Sequence, residues 1–306
     1  MRPEAVLKDA GFAGEVRLSE PMSKHTSLGI GGPAEAMAYP KSVKELARLT
    51  GIASKNGVQV FYLGNGTNIL VLDGGIPGLV INMKKLDWLE LQHGGSGTSQ
   101  VHAGAGVMLP RLALYCSENG LTGLEFLAGI PGTVGGAIAM NAGTKEAEMK
   151  DVLTAVTVIS KDGTIEKKMP SELDMEYRRT GIPADSVVAD SSFAVLPWPK
   201  EEVKEKVAAN IRRRKATQPA GVRSAGSTFK NPPGYSAWKL IDMAGMRGKQ
   251  VGHAQVSTMH TNFLINLGGA TARDFKSLMD MVIKAVQDKM KITLEPEIKI
   301  VGVELT

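Results

Sequence analysis

The stretch Gly129-Ile130-Pro131-Gly132-Thr133-Val134-Gly135-Gly136-Ala137-Ile138-Ala139-Met140-Asn141-Ala142-Gly143 holds five glycines in fifteen residues, and almost every other member is small or apolar. Without a Cβ in the way, backbone N–H groups can approach a ligand closely. A run of such groups in a tight loop makes a concavity suited to a pyrophosphate. A buried turn packing two elements together has the same composition, and this stretch alone does not separate the two readings. A second stretch shifts the balance toward a ligand: Leu63-Gly64-Asn65-Gly66-Thr67-Asn68-Ile69-Leu70 lies upstream, between two strand-like runs.

Around that second stretch, Ser42 and Glu45 form a capping box ahead of a helix with Val43, Leu46 and Ala47 on one face, ended by Gly57. Residues 35–39 and 58–63 read as flanking strands, and 69–72 as another beyond the loop 64–68. This β-α-β-loop-β order sets the loop at the end of a strand, where ligands commonly bind. Gly29, Gly31 and Ala34 match a dinucleotide fingerprint in letters only: no strand-like run precedes them, Pro33 interrupts, and no acidic residue follows at the required spacing. Residues 1–24 predict a short helix packed at an edge.

Downstream, 79–83, 88–92 and 100–103 read as short strands, and 109–119 as a helix with Pro110 in its first turn and Gly120 as its stop. Residues 154–160 and 164–168 form a hairpin across Lys161-Asp162-Gly163, and 187–196 adds a strand. Residues 201–215 predict a helix with Val203, Val207 and Ile211 on one side, ending in Arg212-Arg213-Arg214-Lys215. Cations suit a helix C-terminus, but four in a row exceed what capping needs, so a member of the run is a candidate for phosphate. A break is expected at 216–221, then a third unit ending in a helix 272–290, capped by Thr271, with Phe275, Leu278, Val282 and Val286 inward. Residues 291–305 read as strands that rejoin an earlier sheet.

With 306 residues the chain can bury a large core and suggests two domains or three small ones. Aromatics at 5% are too few for single-strand nucleic-acid stacking to dominate. The net charge of +5 favours an anionic small ligand without making a polybasic tail, and Arg212–Lys215 is no long basic stripe. Cys116, the one cysteine, excludes an intramolecular disulfide and a thiolate zinc cluster, fits a reducing cytosol, and reads as a buried helix residue. Charges at Arg2, Glu4, Lys8 and Asp9 break any apolar leader, and no apolar run approaches the ~20 residues of a membrane helix. A cytoplasmic protein is expected, acting on small molecules rather than nucleic acid or membrane, and as a monomer.

The five histidines show no ligand spacing, which argues against a protein-bound metal. No phosphate-binding G-x-x-x-x-G-K-[ST] and no G-x-S-x-G elbow occurs. Three polar stretches remain. Glu176-Tyr177-Arg178-Arg179-Thr180 sets an aromatic beside two guanidinium groups. Ala225-Gly226-Ser227-Thr228-Phe229-Lys230-Asn231-Pro232 offers a serine on a glycine-loosened backbone. Leu294-Glu295-Pro296-Glu297-Ile298-Lys299-Ile300 holds a glutamate out of phase with inward Ile298 and Ile300. A surface arginine, a turn serine and a solvated glutamate are the plain alternatives, and spacing alone does not bring the three together.

In order and separation, G-N-G-T-N, G-I-P-G-T-V-G-G-A…N-A-G, Y-R, A-G-S-T-F-K-N-P and L-E-P-E resemble the UDP-N-acetylenolpyruvoylglucosamine reductase (MurB) family, over nearly the full length from His25-Thr26-Ser27 to Glu297. The short chain resembles its type II branch, which lacks an extra tyrosine-bearing loop. Arg179-Thr180 and Val222-Arg223 depart from the commonest family pattern. The resemblance implies an α+β chain with a vanillyl-alcohol-oxidase/PCMH-type FAD-binding fold. Residues 1–82, joined by the returning tail 291–306, would be one FAD-binding subdomain, 83–216 the second, and 217–290 a substrate-binding domain. Non-covalent FAD would be held by Gly64, Asn65, Gly66, Thr67 and Asn68, by Ile130, Pro131, Gly132, Thr133, Gly135 and Gly136, and by Asn141, Ala142 and Gly143.

The implied reaction takes hydride from NADPH to flavin N5, then to C3 of the enolpyruvyl group of UDP-N-acetylglucosamine enolpyruvate, giving UDP-N-acetylmuramate for peptidoglycan. Negative charge builds toward the carboxylate, an oxyanion-type demand that the guanidinium of Arg178 suits. The resemblance makes Glu297 an acid or hydrogen-bond donor and Ser227 the proton donor to C2. Tyr177, Arg212, Lys215, Asn231, Arg247 and His260 fall at or near substrate-contact positions, and no metal is implied. The rivals are another FAD-linked oxidoreductase of the same fold, with no need of Ser227 and Glu297, and a nucleotide-sugar binding module that would purify without flavin colour.

Overall fold

The computed structural model describes residues 2–93 and 99–305. By internal contacts the chain divides into two compact units. One comprises Met1–Leu18, Ala36–Asn65 and Gly78–Arg214, the other Ser19–Glu35, Gly66–Pro77 and Lys215–Thr306.

The first unit is built on two sheets. A four-stranded sheet takes the order Glu15–Pro21, Pro33–Tyr39, Ile76–Asn82, Val60–Leu63, the last pair parallel. The chain passes between units within the first three of these strands. Helix Val43–Lys55 begins where the Ser42 hydroxyl accepts the N–H of Glu45, and buries Leu46, Leu49 and Ala53. The second sheet is antiparallel, in the order Ile165–Lys168, Leu153–Ile159, Val187–Pro197, Ser99–Gly104, Leu89–His93, with the short strand Leu121–Thr122 beside Val187–Pro197. Its central strands carry apolar side chains such as Val156, Val158 and Phe193 into the core. Helix Leu109–Glu118, with Pro110 in its first turn, adds Leu112 and Cys116 to the same core. Burial pushes the Cys116 thiol up to about 12, so it stays a protonated packing residue.

The second unit centres on an antiparallel sheet in the order Arg223–Ser227, Phe263–Asn266, Ala254–Val256, Gln250–Val251. Helix Ala272–Met290 packs on it through Phe275, Leu278, Val282 and Val286, all fully buried, each contributing about 1.5–3 kcal/mol. A capping box of Thr271 and Asp274 starts this helix, and both carboxylate oxygens of Asp73 take further first-turn N–H groups, from Ala272 and Arg273. The tail strand Lys299–Val301 pairs in parallel with Ile69–Val71, so the chain does return to an earlier strand, as the sequence predicts.

Three local readings need correction. Residues 1–24 yield helix Pro3–Asp9 but also the edge strand Glu15–Pro21, whose charged alternation hides a strand that needs only one neighbour. Helix Lys200–Thr217 overruns the expected break at 216–221 and stops where Pro219 disfavours helical backbone at Gln218. Ile300 is exposed, at 40%, while Ile298 is buried: Ile298 lies at a bend before strand Lys299–Val301, so the two do not share one regular alternation.

Candidate active site

Within the first unit the two glycine-rich stretches meet. A Cβ built on Gly64 would stand 2.5 Å from the Thr133 hydroxyl oxygen, so only hydrogen fits there. Thr133 in turn caps the short helix Val134–Ile138, accepting from the N–H of Gly136. The stretch is less generous with free donors than its composition suggests. Ile130 donates to Leu127 O, Val134 to Val107 O, Gly135 to Ala105 O, Asn141 to Ile138 O and Ala142 to Ala137 O. Gly135 and Gly143 are also pressed against protein, since Cβ atoms there would lie 2.8 Å from Ala105 Cβ and 2.6 Å from Ala147 O. The buried-turn reading therefore describes part of the stretch. Among the described residues no acceptor takes the N–H of Gly132, Thr133 or Gly143. Gly132 holds φ +128°, a conformation that favours glycine.

Asn141, fully buried, ties this stretch to the Y-R segment: its amide donates to the Glu148 carboxylate and to Glu176 O, both at 2.9 Å, and its carbonyl oxygen accepts from Lys150 N at 3.1 Å. The next residues but one place the Arg178 guanidinium 3.5 Å from the carbonyls of Asn141 and Gly143, and 4.8 Å from the centre of the half-exposed Tyr177 ring. Arg178 itself has φ +58°. A backbone held in that region by a buried amide fixes where a bidentate cation points.

The basic run at the end of helix Lys200–Thr217 is divided. Arg212 pairs with Glu205, and Arg213 with Glu146 and the Asn210 carbonyl oxygen. Arg214 is the inward member and donates to Gly129 O, anchoring the head of the glycine-rich stretch. Burial works against its charge, though a guanidinium stays cationic. Lys215 is exposed.

The second unit draws three of the quoted motifs together. The ladder of strand Arg223–Ser227 is interrupted by a register shift between Ser224 and Ser227, with Gly226 at φ +77°, and ends with Ser227 opposite Phe263. Immediately beyond Ser227, Thr228 O accepts the N–H of Glu297 at 2.8 Å, Lys230 N donates to Glu295 O at 2.9 Å, and the Lys230 ammonium pairs with the Glu295 carboxylate at 2.7 Å. From the other side, the Asn68 amide donates to Glu297 O at 3.1 Å, and Asn68 O accepts from Lys299 N at 3.1 Å. Gly66 reaches φ +60° in the same loop, so close to the His25 turn that a Cβ would lie 2.0 Å from His25 O. The turn is braced by a hydrogen bond between the His25 and Glu20 side chains at 2.9 Å, and Ser27 N donates to Gly66 O.

The remaining candidates of this unit have structural partners. Asn231 accepts from Ala237 N and so caps helix Ala237–Met243. Arg247 pairs with Asp242 at 2.8 Å and donates to Thr258 O; the guanidinium beside Asp242 holds its carboxyl below the usual carboxylate range. His260 is half-buried, edge-on to Phe263 with centroids 4.9 Å apart, and its buried Nδ1 has no hydrogen-bond partner among the described residues. Burial lowers its pKa, and the charge of Arg247 pushes the same way. Asn262 and Arg214 escape a reading by motif. Asn262 has a visible signal, an amide leading the apolar run Phe263-Leu264-Ile265; nothing in the sequence separates Arg214 from its three basic neighbours. Among the described residues no group of three His, Cys, Asp or Glu side chains is placed to hold a metal, and no helix is long and apolar enough to cross a membrane.

Two α+β units with glycine-rich turns, one anchored by the half-buried Arg214 guanidinium, agree with an FAD-binding fold of the vanillyl-alcohol-oxidase/PCMH type. A family model for an FAD binding domain matches residues 34–167, and one for the C-terminal domain of UDP-N-acetylenolpyruvoylglucosamine reductase matches 218–301. The UDP-N-acetylenolpyruvoylglucosamine reductase of Desulfosudis oleivorans is 45% identical over 301 residues, covering 95% of this chain and 96% of that protein. The crystal structure of the MurB reductase from Thermus caldophilus aligns with a TM-score of 0.78 at 38% identity, over 94% of this chain and 99% of its own. A berberine bridge enzyme variant, 16% identical with a TM-score of 0.50 over 64% of this chain and 43% of its own, shares the fold alone. This chain belongs to the UDP-N-acetylenolpyruvoylglucosamine reductase family.

The residues present fit FAD. The unspent N–H groups of Gly132, Thr133 and Gly143 stand in a stretch of mostly small or apolar residues, which suits a pyrophosphate.

Proposed function

We propose that this chain reduces the enolpyruvyl group of UDP-N-acetylglucosamine enolpyruvate to UDP-N-acetylmuramate at the expense of NADPH, in the synthesis of peptidoglycan precursors. The observation that carries the reading is the junction at Thr228, where the hydroxyl-bearing Ser227 segment, the Glu297 segment and the Asn68 loop are joined by backbone and amide hydrogen bonds. A solvated glutamate and an incidental turn serine have no reason to share such a junction.

FAD, when bound, supplies the hydride-transfer chemistry between NADPH and the substrate. Residues 64–68, 130–136 and 141–143 hold it, with Gly132, Thr133 and Gly143 offering the free donors. Arg178 grips the substrate carboxylate and stabilises charge developing there, an electrostatic effect worth several kcal/mol. Glu297 presents a carboxyl to the same carboxylate, and Ser227 Oγ gives its proton to C2 and is reprotonated by a neighbour or water. Tyr177, Arg212, Lys215, Asn231, Arg247 and His260 contact the substrate, so Asn231 and Arg247 combine that role with the partners they hold. Residues 1–82 with 291–306 and 83–216 serve FAD, and 217–290 serve the substrate. The protein acts in the cytoplasm as a monomer.

Rapid mixing tests the reading. Ser227→Ala is expected to leave flavin reduction by NADPH nearly unchanged while slowing reoxidation by UDP-N-acetylglucosamine enolpyruvate by about 100-fold or more. Equal slowing of the two half-reactions would make Ser227 structural and remove the proton donor from the proposal.

A further inference from the structure

We infer that Asn262 is a positioning residue for Ser227, an inference that rests on the function proposed above. Asn262 is 4% exposed. Its amide N–H donates to Phe229 O at 2.8 Å, its side-chain oxygen accepts from Phe229 N at 3.0 Å, and its own carbonyl accepts from Thr228 N at 2.8 Å. One residue thus satisfies three of the four backbone groups of Thr228 and Phe229, directly after Ser227.

Those groups need it because of where they fall. The ladder of strand Arg223–Ser227 with Phe263–Asn266 is irregular between Ser224 and Ser227, resumes with Ser227 opposite Phe263, and ends there. Backbone that leaves a ladder inside a protein must find other partners or carry a desolvation penalty. The Asn262 side chain replaces the missing rung, offering one donor and one acceptor as a neighbouring strand would. Asp has no donor to give Phe229 O, an aliphatic side chain has neither group, and Gln is longer by a methylene.

The other face of the same segment is Thr228 O, which accepts from Glu297 N. Asn262 therefore holds the side of the segment opposite the tail segment that carries the carboxyl, and Ser227 is fixed at the head of a backbone clamped from both directions. A weak acid such as a serine hydroxyl is effective only when held within hydrogen-bond reach of the atom it protonates. A displacement of about 1 Å in such an arrangement costs on the order of 100-fold in rate.

The test compares Asn262→Asp, which keeps the shape and removes the donor, with Asn262→Ala, which removes both groups and adds no charge, in full-length flavoprotein alongside Ser227→Ala. FAD retention and flavin reduction by NADPH should stay within about twofold of the parent in both Asn262 variants, while reoxidation by UDP-N-acetylglucosamine enolpyruvate slows on the order of 100-fold. The solvent deuterium isotope effect on reoxidation should grow as proton delivery becomes limiting. Ser227→Ala separates the two claims: if it slows both half-reactions alike, the proposed function loses its proton donor and this inference goes with it. If Ser227→Ala slows reoxidation alone, the positioning role is overturned by any of three results from the Asn262 variants: unchanged reoxidation, equal slowing of both half-reactions, or no folded flavoprotein from either.

Discussion

His260 carries its Nδ1 into the interior with no hydrogen-bond partner among the described residues and its ring against Phe263, so protonating it would place a charge in a poor solvent beside Arg247. Its pKa is lowered from the ordinary 6.5 in the folded chain, and the sign of the consequence follows. Above pH 6.5 the ring is neutral folded or unfolded, and nothing is lost. As pH falls below that value the unfolded chain takes up a proton that the folded one resists, so stability declines through the folded value. Thermal midpoints measured between about pH 8 and pH 5 should fall on the acid side, and His260→Gln should flatten that limb while changing the midpoint little at the alkaline end. An unaltered limb would mean that other groups set the acid response. Arg178, Ser227 and Glu297 draw attention at this scale because their neighbours are unusual: an aromatic beside paired guanidiniums, a glycine-loosened serine, a glutamate after proline; their roles come only with the family resemblance. Asn262 and Arg214 were not, since each does its work on backbone carbonyls or N–H groups, and a backbone partner leaves no letter in the sequence.

Elements whose signals are local proved easiest to read. Helix Ala272–Met290 announces itself by the Thr271–Asp274 capping box and by apolar residues at helical spacing, and both the cap and the buried face are present. The hairpin through Lys161-Asp162-Gly163 pairs Ile159 with Ile165 as its turn requires. The sheet of the second unit was illegible for the opposite reason. Its first strand, Arg223-Ser224-Ala225-Gly226-Ser227, is small and polar with a glycine in the left-handed region, and it is a strand only because Phe263–Asn266 offers it a ladder. The glycine-rich stretch was half legible: its composition marks a close approach, but which N–H groups remain unspent depends on Ala105, Val107 and Leu127, elements apart in sequence. Cap energetics give this scale its test. Thr271→Ala removes the acceptor for Asp274 N and should lower unfolding free energy by about 1 kcal/mol in urea titrations. Because Asp73 still accepts from Ala272 and Arg273, the helix should start at the same residue; a loss several times larger would show that Asp73 depends on the cap.

At the scale of the whole chain, the second unit is assembled from three separated segments, and its coherence depends on pairings that span most of the sequence. Asn68 and Glu297 lie 229 positions apart, yet the amide of one meets the carbonyl of the other. The loop that ends the G-N-G-T-N motif is therefore held by the tail, and the tail that carries Glu297 is held by the loop. The sequence predicts the tail's return but not its register, because parallel pairing between remote strands is set by the packing around both. If FAD is held by this loop, loosening the tail should release cofactor as well as disturb the carboxyl. Lys299→Pro isolates the effect, because proline cannot donate to Asn68 O. Fluorescence titration of the deflavinated variant with FAD should show affinity weakened by about tenfold, equivalent to one lost backbone hydrogen bond of about 1.4 kcal/mol. Lys299→Ala, which keeps the N–H, should bind FAD as the parent does. Equal weakening in both variants would assign the effect to the lysine side chain, and parental affinity in both would uncouple the tail from the cofactor loop.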